Sequence, residues 1–340
     1  MPAAVYIGDG QMAVQDLPVP VAGADEVLVE VAQCGICGSD MHLVLEGYAR
    51  PGTVLGHEWA GTVVASGDGV SGWEPGARVV SSPTPGCGRC RPCRRGRPSV
   101  CLEREPPNYL SFGGAFCRYL AVRADRLLRI PDTLTTRAAA LTEPTAIAVH
   151  TVNLSRVETD DRVLVTGAGP VGLLTLSVLL ERGVTDVTVS EPSPVRRARA
   201  AAIGAAAVIA PDDLGRAPLG RPVDAPFAVA FECSGHAGAV EAALDQLDFA
   251  GTLVFVGTGR EMPRINHNRM IVLELTAVGA YNYDDDGFGP ALELLAGGSI
   301  PTHLLIEPDD IALGGVFDAM QRLARGEIPG KVMVRPQEVL

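Results

Sequence analysis

The sequence predicts an α/β protein in which a β-rich domain is joined to a doubly wound parallel sheet. Three observations carry this. The chain has 340 residues, more than one core ordinarily serves. Residues 1 to about 145 show short strand-like runs cut by Gly and Pro. From about Asp161 onward, strands alternate with helices, the pattern of βαβ units.

In the first part, strands are expected at 26–31, 61–65, 78–80 and 116–120, with turns between them that suit a compact β domain. A helix is expected from Ala138 toward Leu154. Pro144 should kink it or break its start, because proline has no N–H to donate. The second part reads as strands at 162–165, 187–189, 207–209, 228–231, 253–256 and 275–278. Helices at 171–180, 195–203 and 237–247 fall between them. The tail carries helices near 290–295 and 315–325 and a last strand at 331–334.

The formal net charge is −12, so the surface repels phosphate backbones and nucleic acid is not an expected partner. The one basic run, Arg89 to Arg97, lies inside a cysteine cluster, where positive charge eases the crowding of thiolates. No basic segment followed by an apolar run opens the chain, and no apolar stretch is long enough to span a bilayer. A membrane partner is therefore not expected, and a reducing cytoplasm is the expected setting for the eight cysteines. Cys117 and Cys233 lie in apolar surroundings and read as small core residues. Cys34 and Cys37 form a C-x2-C pair, but redox work is the weaker reading because the neighbouring sequence gives Cys37 another role.

Cys87, Cys90, Cys93 and Cys101 follow C-x2-C-x2-C-x7-C. One short loop at that spacing can fold four thiolates around a tetrahedral ion, the requirement of structural zinc. Cys37, His57, Glu58 and Glu143 are a second, mixed set of candidate ligands. Taken singly, each is more ordinary as a packing or surface residue. Together they suit a zinc ion with a position left open for chemistry.

Gly167-Ala-Gly169-Pro170-Val171-Gly172 is a G-x-G-x-x-G turn between a strand and a helix, with Glu191 nineteen positions beyond it. Gly167 makes the turn, Gly169 admits a pyrophosphate to the backbone, and Gly172 lets helix and strand pack closely. Glu191 would accept hydrogen bonds from ribose hydroxyls and repel a 2′-phosphate, which favours NAD over NADP. Ser190, Ser193, Arg196 and Arg197 could instead form a phosphate-tolerant rim. A Gly-rich turn holding no cofactor is the plainer alternative.

These motifs stand in one order along the chain: Cys34-Gly-Ile-Cys-Gly-Ser-Asp-Met-His42, Gly56-His-Glu58, the four-cysteine loop, Gly113 to Tyr119, Glu143-Pro144, Ala148-Val-His150 and the Gly-rich turn. Together they resemble the zinc-dependent medium-chain dehydrogenase/reductase family, in its sorbitol, butanediol and threonine dehydrogenase-like branch. The resemblance runs over essentially the whole chain. It implies a GroES-like catalytic domain over 1–145 with a structural zinc lobe near 86–102. A Rossmann NAD(P)-binding domain would follow over 146–280, and 281–340 would return to complete the first. Cys37 and His57 resemble the first two catalytic zinc ligands, and Glu58 and Glu143 the carboxylates that complete or back the site. Glu-Pro-Thr145 departs from the Glu-Pro-Leu frequent among relatives. The lack of a cysteine near that point separates the chain from ethanol-type enzymes.

By the same resemblance, Ser39 would take the substrate's proton and His42 would be the outer base of the relay. Cys233, Ser234, Val256, Gly257 and Lys331 would line the cofactor, and Arg196 is placed with them from its position after Glu191. The implied activity is hydride transfer between a secondary alcohol or polyol and NAD⁺, giving a ketone, with two zinc ions per chain and a homodimer or homotetramer as the assembly. An NADP-dependent ketone or aldehyde reductase of the same family, an L-threonine 3-dehydrogenase-like enzyme and a non-catalytic nucleotide-binding protein are the competing readings. Tyr48, Arg50, Asn108 and Tyr109 could make polar contacts to a hydroxylated substrate, or be loop residues only.

Overall fold

A computed structural model describes residues 1–82, 86–103, 113–218 and 220–339. Asn108 and Tyr109 lie outside them. The chain divides into two compact units. One holds Met1–Glu143, Ala291–Gly297 and Ile306–Leu340, and the other Pro144–Pro290 and Gly298–Leu305. The second unit thus runs past 280, where the sequence placed its end. It also takes in the short helix Thr302–Leu305, which lies against helices Pro170–Glu181 and Pro194–Ile203.

The first unit is built on a sheet whose described strands run Ile311–Ala312, Met333–Arg335, Glu26–Gly35, Glu58–Ser66, Arg78–Ser81 and Leu127–Arg129. Tyr119–Arg123 pairs with the first half of Glu26–Gly35. Pairing is antiparallel except between the first two strands. Val27, Val29 and Val31 are fully buried at alternate positions, the signature of one face turned to a core. The strand expected at 116–120 sits three residues later. Phe116 and Cys117 instead run beside the hairpin Pro2–Gly8/Gln11–Asp16, which the sequence reading missed.

The expected helix at 138–154 is two helices, Thr136–Ala139 and Thr142–Ser155. The break precedes Pro144, so the proline falls in a first turn, where its missing N–H leaves no hydrogen bond unmade.

In the second unit the described strands form a fully parallel sheet in the order Ala207–Ile209, Val187–Ser190, Val163–Thr166, Phe227–Glu232, Leu247–Phe255, Thr276–Gly279. The order reverses between the third and fourth of these, and open parallel sheets bind ligands outside the carboxyl ends of the strands at such a point. On the opposite end of this sheet, the buried Arg269 guanidinium donates to the carbonyls of Asp245 (2.7 Å) and Arg221 (3.0 Å). It thereby ties the long 210–226 connection to the end of helix Ala237–Asp245. Among the described residues no helix is long and apolar enough to cross a membrane.

Candidate metal and coenzyme sites

Cys37 is the N-cap of helix Gly38–Leu45, and its N–H donates to Asp40 Oδ2 three residues on (3.0 Å). Asp40 is fully buried. Its other oxygen accepts from the Gly56 N–H (3.2 Å) and stands 3.4 Å from His57 Nδ1. One carboxylate therefore pins the helix start to the 56–58 turn and orients the imidazole. Gly56 has φ +93, and a Cβ there would meet Cys34 Sγ at 2.8 Å, so the turn admits only glycine.

Glu58 opens the next strand, paired with Gly35. The ligand atoms of Cys37, His57 and Glu58 all lie within 4.8 Å of one another. One sulfur, one imidazole and one carboxylate, with no fourth ligand in the group among the described residues, are a donor set that fits zinc with an open position. Burial alone would depress the His57 pKa. The Asp40 carboxylate and the Cys37 sulfur outweigh it and hold that pKa well above its usual value.

The two carboxylates are placed differently. Glu58 is in contact with Lys331, whose buried ammonium donates to Glu58 Oε1 (2.7 Å) and to the Ile36 carbonyl (3.0 Å) and lies 2.6 Å from Oε2. Lys331, expected on the cofactor, is engaged within the first unit. Glu143 is buried in the first turn of helix Thr142–Ser155 but is not part of the three-residue group. Burial pushes its carboxyl up to about 7. His57 and Lys331 pull it down, and Glu58 and Asp40 raise it further. Ser39 and His42 sit one turn apart on helix Gly38–Leu45, with His42 Nδ1 2.7 Å from Glu46 Oε1.

The sulfurs of Cys87, Cys90, Cys93 and Cys101 form the other close group. The Cys90 N–H points to Cys87 Sγ (3.3 Å) and the Cys87 N–H to Cys101 Sγ (3.4 Å), amide donors that favour thiolates. The Cys93 backbone amide, outweighing burial, brings the Cys90 thiol down to about 6. Burial and the neighbouring sulfurs push Cys93 up to about 12. Binding of a divalent cation would release the protons that the thiols retain. All eight cysteines are free of disulfides.

In the second unit, Gly169 is the N-cap of helix Pro170–Glu181, and a Cβ on it would meet nothing within 4 Å. That leaves room for a pyrophosphate over the helix amides, including those of Val171 and Gly172. Gly167 (φ +92) packs on Ser234, and Gly257 on Gly235, so the carboxyl ends of three adjacent strands meet there. Glu191 is buried and accepts from the Ala168 N–H (2.7 Å) and the Ser193 N–H (2.9 Å), tying the Gly-rich turn to the next loop. Arg197 Nη1 donates to the Glu191 and Pro192 carbonyls, which anchors the guanidinium to this loop. The Arg196 N–H points to Ser193 Oγ (3.5 Å) in the same loop.

Sequence reasoning missed three residues. Asp40 lay in view inside the Cys37–His42 motif, and its i+3 spacing from Cys37 was the available signal. Glu232 closes strand Phe227–Glu232 and accepts from the amides of Ser234 (2.8 Å) and Gly235 (3.1 Å). It thereby braces the Cys233–Gly235 turn beside Val256 and Gly257. A buried acid at a strand end followed by Cys-Ser-Gly was its signal. Glu46 had the i+4 spacing from His42.

The alcohol dehydrogenase GroES-like domain family matches residues 23–132, and the zinc-binding dehydrogenase family residues 170–297. Sorbitol dehydrogenase of Bacillus subtilis (strain 168) is 31% identical over 335 residues, covering 95% of this chain and 93% of the relative. An alcohol dehydrogenase from Escherichia coli CFT073 solved with NADH superposes with a TM-score of 0.88 at 26% identity, with 98% and 99% of the two chains covered. A protein of Sinorhizobium meliloti 1021 bound to NADP does so with a TM-score of 0.87 at 30% identity, with 98% and 99% covered.

Proposed function

The chain belongs to the zinc-dependent medium-chain dehydrogenase/reductase family, and on that footing we propose that it oxidises a secondary alcohol or polyol to the ketone with NAD⁺. It is an NAD(P)-dependent oxidoreductase with two candidate zinc-ligand clusters. The observation that carries the reading is the convergence of Cys37, His57 and Glu58 on one point. When bound, zinc polarises the substrate hydroxyl and NAD⁺ accepts the hydride.

The rest is the work of the chain's own side chains. Cys37, His57 and Glu58 hold the metal, while Asp40 aims the imidazole. Lys331 offsets the Glu58 charge, and Glu143 stands beside the group as a carboxyl that can be present in either protonation state near neutrality. Ser39 Oγ takes the substrate proton and His42 releases it to solvent. Gly167, Gly169, Pro170, Val171 and Gly172 cradle the pyrophosphate. Glu191, Arg196, Cys233, Ser234, Val256 and Gly257 line the rest of the coenzyme. Metal chemistry belongs to the first unit and coenzyme binding to the second. Cys87, Cys90, Cys93 and Cys101 would hold a zinc that does no chemistry.

The negative charge of Glu191 beside the Gly-rich turn supports NAD over NADP, since it would repel a 2′-phosphate. The sorbitol dehydrogenase relative supports a polyol or other secondary alcohol. The test is a screen of zinc-replete protein against secondary alcohols, sugar alcohols, diols, cyclitols and threonine with both coenzymes. NAD should be preferred by about 10-fold or more in kcat/KM, since one charge repulsion of about 1.4 kcal/mol is worth that factor. A preference for NADP would recast the enzyme as a reductase, and turnover of threonine alone would favour the amino-alcohol reading.

Eight free cysteines support a reducing cytoplasm. A second copy of the chain is the macromolecular partner. The sheet edge Thr276–Gly279 is largely exposed, as are Phe249, Ile271 and Val272 in the same unit. Light scattering should give the mass of two or four chains, and a monomer at micromolar concentration would overturn this.

A further inference from the structure

Ser39, His42 and Glu46 stand at i, i+3 and i+7 along helix Gly38–Leu45 and its C-cap, so they share one face. Asp40 and Val44, on the other face, are buried. On the shared face the Glu46 side chain is the more enclosed member, 15% exposed against 39% for His42. Its Oε1 lies 2.7 Å from His42 Nδ1. An ionised carboxylate has only acceptor sites, so Nδ1 must carry the hydrogen and the neutral ring keeps its lone pair at Nε2. An unpartnered neutral histidine side chain favours the opposite form, with the hydrogen on Nε2.

We infer that Glu46 is a positioning residue for proton release, holding His42 in the Nδ1–H tautomer so that Nε2 is the atom that receives the proton. The inference rests on the reading of His42 as the outer base of the relay. Nε2 takes a proton from the relay hydroxyl, and the ring becomes an imidazolium whose Nδ1–H stays on the Glu46 carboxylate. The Nε2 proton then passes to water. The relay O–H bond breaks as the Nε2–H bond forms, the hydroxyl regaining a proton from the substrate; the Nε2–H bond then breaks as an O–H bond forms on water, and Glu46 is unchanged throughout. The carboxylate favours the charged ring by proximity, and it prevents the tautomer that would present an N–H where a lone pair is needed.

The tautomer can be read directly, without turnover, from long-range proton–nitrogen correlations of zinc-loaded protein labelled with ¹⁵N-histidine. Six histidines are present, and His42 is assigned by its disappearance in His42→Gln. The wild-type His42 ring should be the Nδ1–H form, and Glu46→Leu should move it mainly to Nε2–H. With that move, kcat should fall about 10-fold while the KM for NAD stays within about 2-fold, a loss of proton transfer and not of binding. Glu46→Gln keeps an acceptor oxygen, so it should retain the Nδ1–H form and turn over within about 3-fold of wild type.

A wild-type ring in the Nε2–H form, or a tautomer that Glu46→Leu leaves in place, overturns the inference. So does a tautomer that moves with no change in kcat. A wild-type protein inactive on every alcohol but showing the Glu46-dependent tautomer would overturn the relay reading while leaving the Glu46–His42 pair intact.

Discussion

Cys37→Ser should lower kcat/KM by about 10³-fold or more, since the several kcal/mol a metal supplies to developing charge is lost at 1.36 kcal/mol per tenfold. Serine is a neutral oxygen where the site needs a thiolate. His57 and Glu58 remain, held by Asp40 and Lys331 through contacts that do not involve the sulfur. Folding should therefore survive, with the melting temperature within a few degrees of wild type, about the effect of 1 kcal/mol. Metal analysis should fall from two zinc ions per chain to about one.

Cys93→Ser should give the complementary result. Its sulfur belongs to the cluster that draws together the ends of a loop, Cys87 and Cys101. Structural zinc contributes on the order of 10 kcal/mol to small sites, so its loss should lower yield and melting temperature far more than the specific activity of what folds. If both variants lose only stability, or if wild-type protein holds a single zinc, the division between a chemical and a structural site fails.

The second large effect is expected at Lys331. Its ammonium and the Glu58 carboxylate are both buried, 3% and 1% exposed, and they lie 2.6 Å apart. In zinc-free protein, Lys331→Met leaves the carboxylate without its cation in a water-poor place, and breaking a buried pair from one side costs about 3–5 kcal/mol. A fall in melting temperature on the order of 10 °C corresponds to that in a domain of this size. The double variant Lys331→Met/Glu58→Leu removes both charges and should regain much of the stability while losing metal. If it melts no higher than Lys331→Met, the ion pair is not the cause of the loss.

Lys331 also shows where sequence reasoning ends. Lysine at 331 and glutamate at 58 are 273 positions apart, and no local pattern links them. They meet because Met333 pairs with Gly35 and Gly35 pairs with Glu58, a register set across three strands. Asp40 is a nearer case. Its role beside Cys37 follows from helix capping, but its bond to Gly56 depends on how the turn at 56–58 folds back. The hairpin at the N-terminus was missed because its pairing leaves much of Gln11–Asp16 exposed, so its hydrophobic alternation is weak.

By itself the sequence determined the features whose geometry is local: four cysteines at loop-closing spacing, a Gly-rich turn between strand and helix, and the alternation of a parallel sheet. Short-range chain geometry suffices for these, since residues a few positions apart can reach only a few arrangements. Tertiary structure alone decided that Glu58 shares its charge with Lys331, that Glu143 stands outside the close ligand group, and that Glu191 braces the Gly-rich turn. Those depend on which distant segments the sheets bring together, and on the desolvation that sets how a buried charge must be paired.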